Sequence, residues 1–389
     1  MRRGKTFFII SVIMFACFFS WFIMRESKGN DSFADSEAYV SLTNTVEETI
    51  SYEREIHITQ SIDEKNVIDA DVTSPVGDVC SSFEIEPIEI STEMGALLFF
   101  PEDSTSRTIE EIDDITSLKT DGGNRFTTQR GICSFRKEGE EGKKYDEIQN
   151  LLWRYSKEFP ESVNRSLDFM TQDEAIKLAI NIFSELGTCF TPVLEDCIAL
   201  DHQQLMEYQK TLFSSDSTYD EFGKTYLLDG LSENYDAYLL SFAFTYRDIP
   251  IYGFEGEPKV RFVENIYPPF QSTATMVISR QGLVSFQAIG IYKEISEQTE
   301  TQILNVDELL EVYKQKCDLT LWNENRRVSN IYLEYIPILR ETGMVLTPYW
   351  CLLIDLETSS SPTDEPKWIN AIESERFNAF TGKDILYGG

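Results

Sequence analysis

The chain has 389 residues, of which 42% are hydrophobic and 13% aromatic, so it contains enough apolar material for one or two folded domains. Its 66 acidic and 34 basic residues give a formal net charge of -32. Such a charge argues against binding to nucleic acid, whose phosphates require a basic surface, and against adsorption onto anionic lipid headgroups.

An uninterrupted apolar run, Phe7–Met24, follows the short basic segment 1–6. As a helix with a rise of ~1.5 Å per residue, the run would span ~27 Å, close to the ~30 Å hydrocarbon core of a bilayer. It therefore predicts an uncleaved transmembrane anchor. The positive-inside rule then places residues 1–6 in the cytoplasm and the chain from about residue 25 outside the cell. A cleaved signal peptide is one alternative, and a lipoprotein acylated at Cys17 is another.

The segment that follows, 25–93, is polar and acidic and rich in Ser, Thr, Asp and Glu, and it predicts a flexible stalk. Within it, Phe83–Ile90 alternates apolar and polar residues with period two, and the apolar stretch Gly95–Pro101 comes soon afterwards. These two stretches predict the first strands or a docking edge. A second acidic gap, Glu102–Asn124, separates them from the main body.

Three helices are predicted next. Lys143–Lys157 has apolar residues on one face, and the capping box Thr171–Glu174 begins a helix that Gly187 ends. Asp201–Phe213 is a weaker helix that carries His202. Because this histidine lies among glutamine and glutamate residues, we expect it to be solvated and to have no catalytic neighbour.

After these helices the period of the apolar residues changes to two. The stretch Tyr238–Tyr246 predicts a strand with an aromatic inner face. Its inward residues are Tyr238, Leu240, Phe242, Phe244 and Tyr246. A tight turn between Thr275–Ser279 and Leu283–Tyr292 predicts an antiparallel hairpin.

A second set of elements begins at Asn305, where an N-cap residue with Glu308 at the N3 position predicts a short helix. Three predicted strands follow it, Ser329–Ile338, Pro348–Glu357 and Lys367–Ile372. The order of helix and then antiparallel strands therefore occurs twice in the chain.

These later residues resemble a known family. The resemblance rests on Asn305-Val-Asp-Glu-Leu-Leu, Val328–Pro337, Leu346–Cys351 and Ile369–Ile372. Together these stretches are similar to the C-terminal pattern of the YycH/YycI type. That resemblance implies a single-pass, extracytoplasmic protein of Gram-positive bacteria with PepSY-like modules. It also implies an accessory regulator that touches the extracellular and membrane parts of a sensor histidine kinase.

The predicted fold class is α+β, with an N-terminal transmembrane helix, a flexible acidic stalk and two PepSY-like modules in which a helix packs on an antiparallel sheet. The predicted boundaries are a cytoplasmic tip at 1–6, the anchor at 7–24, the stalk at 25–93, a first α+β module with its preceding helices at 94–298, and a second, YycI-like module at 299–389.

The sequence predicts no catalytic, cofactor-binding or metal-binding residue. The motifs HExxH, GxSxG, the Walker loop and the dinucleotide fingerprint do not occur, and His57 and His202 are the two histidines. We therefore predict that the protein is not an enzyme and has no cofactor. Among the six scattered cysteines beyond the anchor, the one disulfide that we predict joins Cys317 to Cys351.

Two further groups of residues are predicted to be structural. The aromatic residues of the second module are predicted to be core residues and not a recognition surface. They are Trp322, Tyr332, Tyr335, Tyr349 and Trp350. The pairs Arg247-Asp248 and Arg326-Arg327 are predicted to be strand-end charges that face water.

Two functions are consistent with these features. The first is a membrane-anchored accessory regulator of a membrane partner such as a two-component sensor kinase. The alternative is an exported ligand- or peptide-binding protein of the cell envelope, in which an exposed strand edge or a cleft between the modules captures an extended chain.

Overall fold

The computed structural model has a mixed α+β fold with two β-sheets, and five α-helices lie in its described part. The residues that the structure describes are 54–74, 78–100, 107–112, 115–155, 166–214, 230–251, 272–296, 299–340, 343–358 and 367–384. The chain divides into two compact units. The first consists of Met1–Ser82, Gln298–Glu334 and Thr347–Gly389, and the second of Phe83–Glu297 and Tyr335–Leu346.

The helices, in chain order, are α1 (Thr92–Phe99), α2 (Glu140–Tyr155), α3 (Gln172–Leu186), α4 (His202–Ser214) and α5 (Val306–Leu319). The strands are β1 (Arg54–Ser61), β2 (Asn66–Ser74), β3 (Val79–Pro87), β4 (Arg107–Ile112), β5 (Ile115–Thr120), β6 (Arg125–Gln129), β7 (Ile132–Arg136), β8 (Thr191–Leu200), β9 (Ala237–Tyr246), β10 (Ile249–Pro250), β11 (Thr273–Ser279), β12 (Gly282–Ile289), β13 (Tyr292–Glu294), β14 (Thr299–Gln302), β15 (Arg326–Arg340), β16 (Gly343–Thr358) and β17 (Lys367–Asn378).

In the first unit, the hairpin β1–β2 is antiparallel, and β15 lies beside β2 and runs parallel to it. Strand β16 is the other neighbour of β15 and pairs with β17 in the antiparallel sense, while β14 pairs with the start of β3. The sheet is therefore mixed, and the predicted purely antiparallel module is wrong for the β2–β15 pair. The sequence prediction missed this pair because it took the residues of β2 for stalk.

The prediction of a flexible stalk is wrong for residues 54–74 and 78–93, which form β1, β2, β3 and the start of α1. In β2 the side chains of Ile68, Ala70 and Val72 are fully buried, and the acidic Asp69 and Asp71 between them are exposed. Because the polar residues occupy alternate positions, the average composition is acidic although one face of the strand is apolar.

The remainder of the predicted stalk, 25–53, lies outside the described residues, and so does the predicted anchor Phe7–Met24. Of the helices that the structure describes, none combines the length and the apolar character needed to span a membrane.

Helix α5 begins and packs as its sequence predicts. The Asn305 side chain accepts a hydrogen bond from the Glu308 backbone at 3.0 Å, and the Glu308 carboxylate accepts one from the Asn305 backbone at 2.9 Å. The buried face of the helix consists of Leu309, Leu310, Tyr313 and Cys317. On the sheet below, the Phe377 ring of β17 lies 6.4 Å from the Tyr313 ring. The predicted packing of a helix on a sheet is thus confirmed.

The second unit contains a nine-stranded antiparallel sheet with the order β10-β9-β11-β12-β7-β6-β5-β4, in which β8 also pairs with β9. The predicted inner face of β9 is confirmed, because all five of its alternate side chains are buried. Phe183 of α3 lies over this face, with ring centroids 5.1 Å from Phe242 and 5.5 Å from Phe244. The predicted capping box of Thr171 and Glu174 and the left-handed Gly187 at the helix end are also confirmed.

Two segments before this sheet differ from their predictions. The stretch Gly95–Pro101, predicted as a strand, belongs mostly to helix α1, and Ser91 caps that helix by accepting a hydrogen bond from the Met94 backbone at 3.2 Å. A short apolar run fits a strand or a buried helix equally well, so the period could not decide between them. The predicted acidic gap Glu102–Asn124 contains β4 and β5.

Close packing explains the glycine in α1. A Cβ atom at Gly95 would lie 2.4 Å from the Phe126 ring, so only glycine lets the helix approach β6 this closely. Phe99 of the same helix then stacks on Phe126, Phe135 and Phe286, at centroid distances of 5.2, 5.2 and 5.4 Å. Helix α1 therefore covers an aromatic face of the sheet.

Candidate functional site

His202 is the first residue of α4 and contacts Asp236, while the preceding residue, Asp201, binds the backbone of the first helical turn. Its ring Nδ1 and its backbone N–H both lie 2.8 Å from the same oxygen of Asp236. Asp201 accepts hydrogen bonds from the backbone N–H groups of Gln203 at 2.9 Å and Gln204 at 3.0 Å. The His202 side chain is 19% exposed, so the prediction of a solvated histidine is wrong. No local pattern predicts this contact, because Asp236 lies 34 residues away.

These three residues are a candidate metal centre by composition. Asp201, His202 and Asp236 each offer one ligand atom, and the atoms lie within 4.8 Å of one another. However, one oxygen of the Asp201 carboxylate already accepts two backbone N–H groups. One oxygen of Asp236 likewise accepts the backbone N–H of His202 and contacts its ring Nδ1. This is the hydrogen bonding expected at a helix start, where the first N–H groups lack intrahelical partners. We assign the cluster to the capping of α4.

Four of the described cysteines are not activated thiols. Burial, followed by the nearby negative charge of Glu294, raises the pKa of Cys189 to about 12, and burial beside Asp196 raises that of Cys197 to about 12. Burial also raises the pKa of Cys133 and Cys351. Because the thiolate is the reactive form, these groups are poor nucleophiles at neutral pH.

The predicted disulfide between Cys317 and Cys351 is wrong, because both residues are unbridged. Each thiol has its own neighbour. Cys317 shares the buried face of α5 with Tyr313, and Cys351 forms a hydrogen bond with Tyr332. The two cysteines are therefore buried polar members of the core and not a covalent link.

The first unit buries a network of ion pairs around Arg326, which is 3% exposed. Its guanidinium group lies 2.6 Å from Glu373 and 2.9 Å from Glu375, and 3.8 Å from the centroid of the Trp322 ring. Lys316 of α5 joins the network at 2.9 Å from Glu375. Arg326 was predicted to face water, and that prediction is wrong because its acidic partners on β17 could not be identified from sequence.

The acidic partners of Lys316 keep its amine positively charged. Burial alone would lower the pKa of this amine, but the charges and hydrogen bonds of Glu375 and Asp384 outweigh burial and raise the pKa. The Lys316 Nζ atom lies 2.5 Å from Asp384. The amine therefore stays protonated at neutral pH and completes the ion network.

Two more ion pairs lie within the same unit. Arg376 contacts the fully buried Glu334 at 2.6 Å. Arg327, which is partly exposed, contacts the buried Asp355 at 2.6 Å, and Ser329 donates a hydrogen bond to the same carboxylate. Every charge in this interior thus faces an opposite charge, which is the arrangement that makes buried charges tolerable.

The predicted aromatic core residues of the later strands are confirmed in part. Tyr335, Tyr349 and Trp350 are buried, whereas Trp322 and Tyr332 are half-buried. Trp350 donates its indole N–H to the Leu304 carbonyl at 3.0 Å. Arg247 and Asp248 were predicted to face water at a strand end, and they are confirmed there, exposed in a turn with positive φ angles of 50° and 64°.

An exposed strand edge is the surface in the second unit with the character of a binding site. Strand β4 ends the nine-stranded sheet and pairs with β5 alone among the described strands, and all its residues are exposed. Two of them, Ile109 and Ile112, are large and apolar, with exposures of 54% and 58%. An edge strand with exposed apolar side chains is suited to binding another strand.

No protein-family model and no curated protein matches the chain. Among solved structures, it is similar to the crystal structure of an uncharacterized protein from Eubacterium rectale ATCC 33656, with a TM-score of 0.52 and 14% sequence identity. The match covers 86% of this chain and 95% of that chain. At this identity the likeness shows a shared fold and nothing about activity. The resemblance to the YycH/YycI family therefore stays a prediction.

Proposed function

We propose that the protein is a membrane-anchored extracytoplasmic protein that acts without catalysis, as an accessory regulator of a membrane partner such as a two-component sensor kinase. The observation that carries this proposal is the apolar run Phe7–Met24, which follows a basic tip and precedes a strongly acidic chain. In this proposal the chain crosses the cell membrane once, and its bulk lies outside the cell.

The chemistry of the described side chains supports a binding role. The His202 ring contacts Asp236 at the start of a helix, and each ionised group around Arg326 lies against an opposite charge. Cys189 and Cys197 have raised pKa values and are therefore poor nucleophiles at neutral pH. These groups contribute to the fold, which favours recognition of a partner over chemistry on a substrate.

The proposal is tested with the full-length protein in its native membrane. Photo-crosslinkers placed within Phe7–Met24 should capture a membrane protein, which mass spectrometry identifies. Replacing this run with an unrelated transmembrane helix of equal length should abolish the capture and the regulatory effect. A matched control replaces the basic segment 1–6 with another basic segment and should keep both. Capture that survives the helix replacement would contradict a mechanism in which the anchor touches its partner.

A second candidate, an exported peptide-binding protein, is favoured by one observation, the exposed edge of β4. Strand edges bind extended peptides through backbone hydrogen bonds, and side-chain pockets add specificity. The helix replacement separates the two candidates, because it removes contacts made by the anchor and leaves peptide binding by β4 intact.

A further inference from the structure

Strand β4 lies at one end of the sheet of the second unit. The strand pairs with β5 in register from Arg107 opposite Thr120 to Ile112 opposite Ile115, and the structure describes no strand on its other side. Proteins usually protect such an edge with charges, bulges or a covering segment, because an open edge recruits other strands. In β4 the protection consists of the exposed Arg107 and two adjacent carboxylates, Glu110 and Glu111, and the strand also exposes two isoleucines.

An apolar row that crosses the sheet ends at Ile109. The register places Ile109 beside Leu118, then Phe126, Phe135 and Phe286 on successive strands. The last four side chains are buried, under helix α1 where Phe99 stacks on the three phenylalanines, whereas Ile109 is 54% exposed. An apolar side chain on an added strand would lie beside Ile109 and continue the row, which removes apolar surface from water.

The charges of the edge indicate which kind of segment fits. Glu110 and Glu111 lie opposite Ser117 and Thr116, which are neutral. Arg107 of β4 itself donates a hydrogen bond to the Phe100 carbonyl at 3.4 Å. The basic residues of the next two strands, Lys119 and Arg125, both contact Glu138, at 3.7 and 3.3 Å. In the described part of the chain, neither carboxylate of β4 forms an ion pair. Opposite charges directly across two strands are stabilising, so the edge favours a partner strand with Lys or Arg at these positions.

We infer that the β4 edge binds an extended segment of another protein by strand addition, with an apolar residue beside Ile109 and basic residues beside Glu110 and Glu111. A second copy of β4 fits this edge poorly. Antiparallel pairing of two copies about the centre of the strand would place Glu110 opposite Ile109 and Glu111 opposite Thr108 of the other copy, so neither carboxylate would gain a basic residue across from it. This inference rests on the second candidate function, peptide binding by β4, and specifies the chemistry of the bound segment.

The test uses the full-length protein in detergent micelles and a fluorescein-labelled peptide of about ten residues, the length of a long strand, that repeats one valine followed by two lysines. A peptide with glutamate in place of lysine is the control probe. Fluorescence anisotropy should show binding of the lysine peptide and little binding of the glutamate peptide. Hydrogen exchange of residues 107–112 should slow when the lysine peptide is added, because their outward N–H groups become hydrogen-bonded.

Two variants locate the binding. Glu110→Lys with Glu111→Lys should weaken binding of the lysine peptide by about fivefold or more and improve binding of the glutamate peptide. The control Glu185→Lys with Glu233→Lys makes the same change in net charge at exposed sites of the same unit and should leave that preference unchanged. Equal effects of the two double variants would mean that the peptide senses net charge alone, and would overturn the inference.

The apolar position has its own matched pair. Ile109→Ser should weaken binding by about threefold or more, whereas Ile295→Ser, at another exposed isoleucine of the same unit, should not. Unchanged exchange of residues 107–112 on peptide addition would also overturn the inference. If replacing the anchor abolishes capture and leaves peptide binding intact, both proposals are supported. If capture survives the replacement, the anchor mechanism alone is refuted.

Discussion

Two helices that begin with the same kind of capping box cover interiors of different chemistry. Helix α3 in the second unit packs Phe183 onto Phe242, Phe244 and Phe286, and this interior is aromatic and neutral. Helix α5 in the first unit instead carries Lys316 toward a network of buried ion pairs. A shared order of elements therefore does not determine what stabilises them. The neutral interior is stabilised by burial of area, whereas the charged interior depends on each charge keeping its partner.

The largest effect is expected where one member of a buried ion pair is removed. Arg376→Leu leaves the fully buried Glu334 without this partner and should lower the free energy of unfolding by about 3–5 kcal/mol. Denaturant unfolding measures the change. The control Arg130→Leu removes an exposed partner of Glu89 and should cost about 1 kcal/mol or less.

A double variant tests whether the loss of stability comes from the uncompensated charge of Glu334. If Arg376→Leu and Glu334→Leu are combined, part of the lost stability should return, because no buried charge is then left uncompensated. Losses that simply add would show that the two side chains act separately, and the contrast between the interiors would fail.

The neutral interior should reject a polar atom. Phe183→Tyr adds a hydroxyl group among phenylalanine rings and should lower the free energy of unfolding by about 1–3 kcal/mol. Phe169→Tyr is the matched control, because Phe169 is half-buried and its added hydroxyl can reach water. Equal stability of the two variants would show that the interior around Phe183 accommodates polar groups after all.

Removing the helix cap should lower the free energy of unfolding by about the same amount in each unit. Thr171→Ala and Asn305→Ala each remove a side-chain acceptor at a helix start and should each cost about 1 kcal/mol. Hydrogen exchange should place the first loss in α3 and the second in α5. Thr171→Ser and Asn305→Asp keep an acceptor oxygen and should restore most of the stability. Equal loss with these conservative variants would exclude the cap as the cause.

The smallest effect concerns an exposed charge in the first unit. His57 lies 2.8 Å from Asp71 and 3.2 Å from Asp69 across the β1–β2 hairpin. The hydrogen bond to Asp71 raises the pKa of His57, burial opposes it slightly, and Asp69 adds to the increase. A raised pKa means that the contact stabilises the hairpin below the unfolded value of about 6.5 and that this stabilisation is lost as the pH rises through the folded pKa.

Titration of the imidazole signals by NMR measures this pKa. Asp71→Asn should lower the pKa of His57 toward the unfolded value, and Asp69→Asn should lower it less, because that carboxylate is farther away. A pKa that is the same in all three proteins would show that the ring does not use these contacts in solution.

The sequence predicted the features that depend on neighbours along the chain. Both capping boxes were predicted, because their hydrogen bonds join residues three positions apart. The inner face of β9 was also predicted, because alternation is visible within one strand. Strand β2 was missed for the opposite reason, since its exposed acidic residues dominated the average composition of the segment.

The type of the candidate binding surface, a strand edge, could be predicted from the sequence, but its location could not. An exposed strand edge was expected, but β4 itself fell in a segment interpreted as an acidic gap, because Glu110 and Glu111 hide the isoleucines that flank them. Its position at the end of the sheet follows from the order of the other strands, which no local pattern contains.

By itself, the sequence determined the apolar N-terminal run, the starts of the capped helices and the aromatic face of β9, because each depends on side chains within a few positions of one another. Only the tertiary structure decided that β15 runs parallel to β2 and that Arg326 is buried. Arg326 and its partner Glu375 are 49 residues apart, and among 66 acidic residues nothing local selects that partner. Such a charge is stable in the interior only once distant strands bring its counterpart within hydrogen-bonding distance.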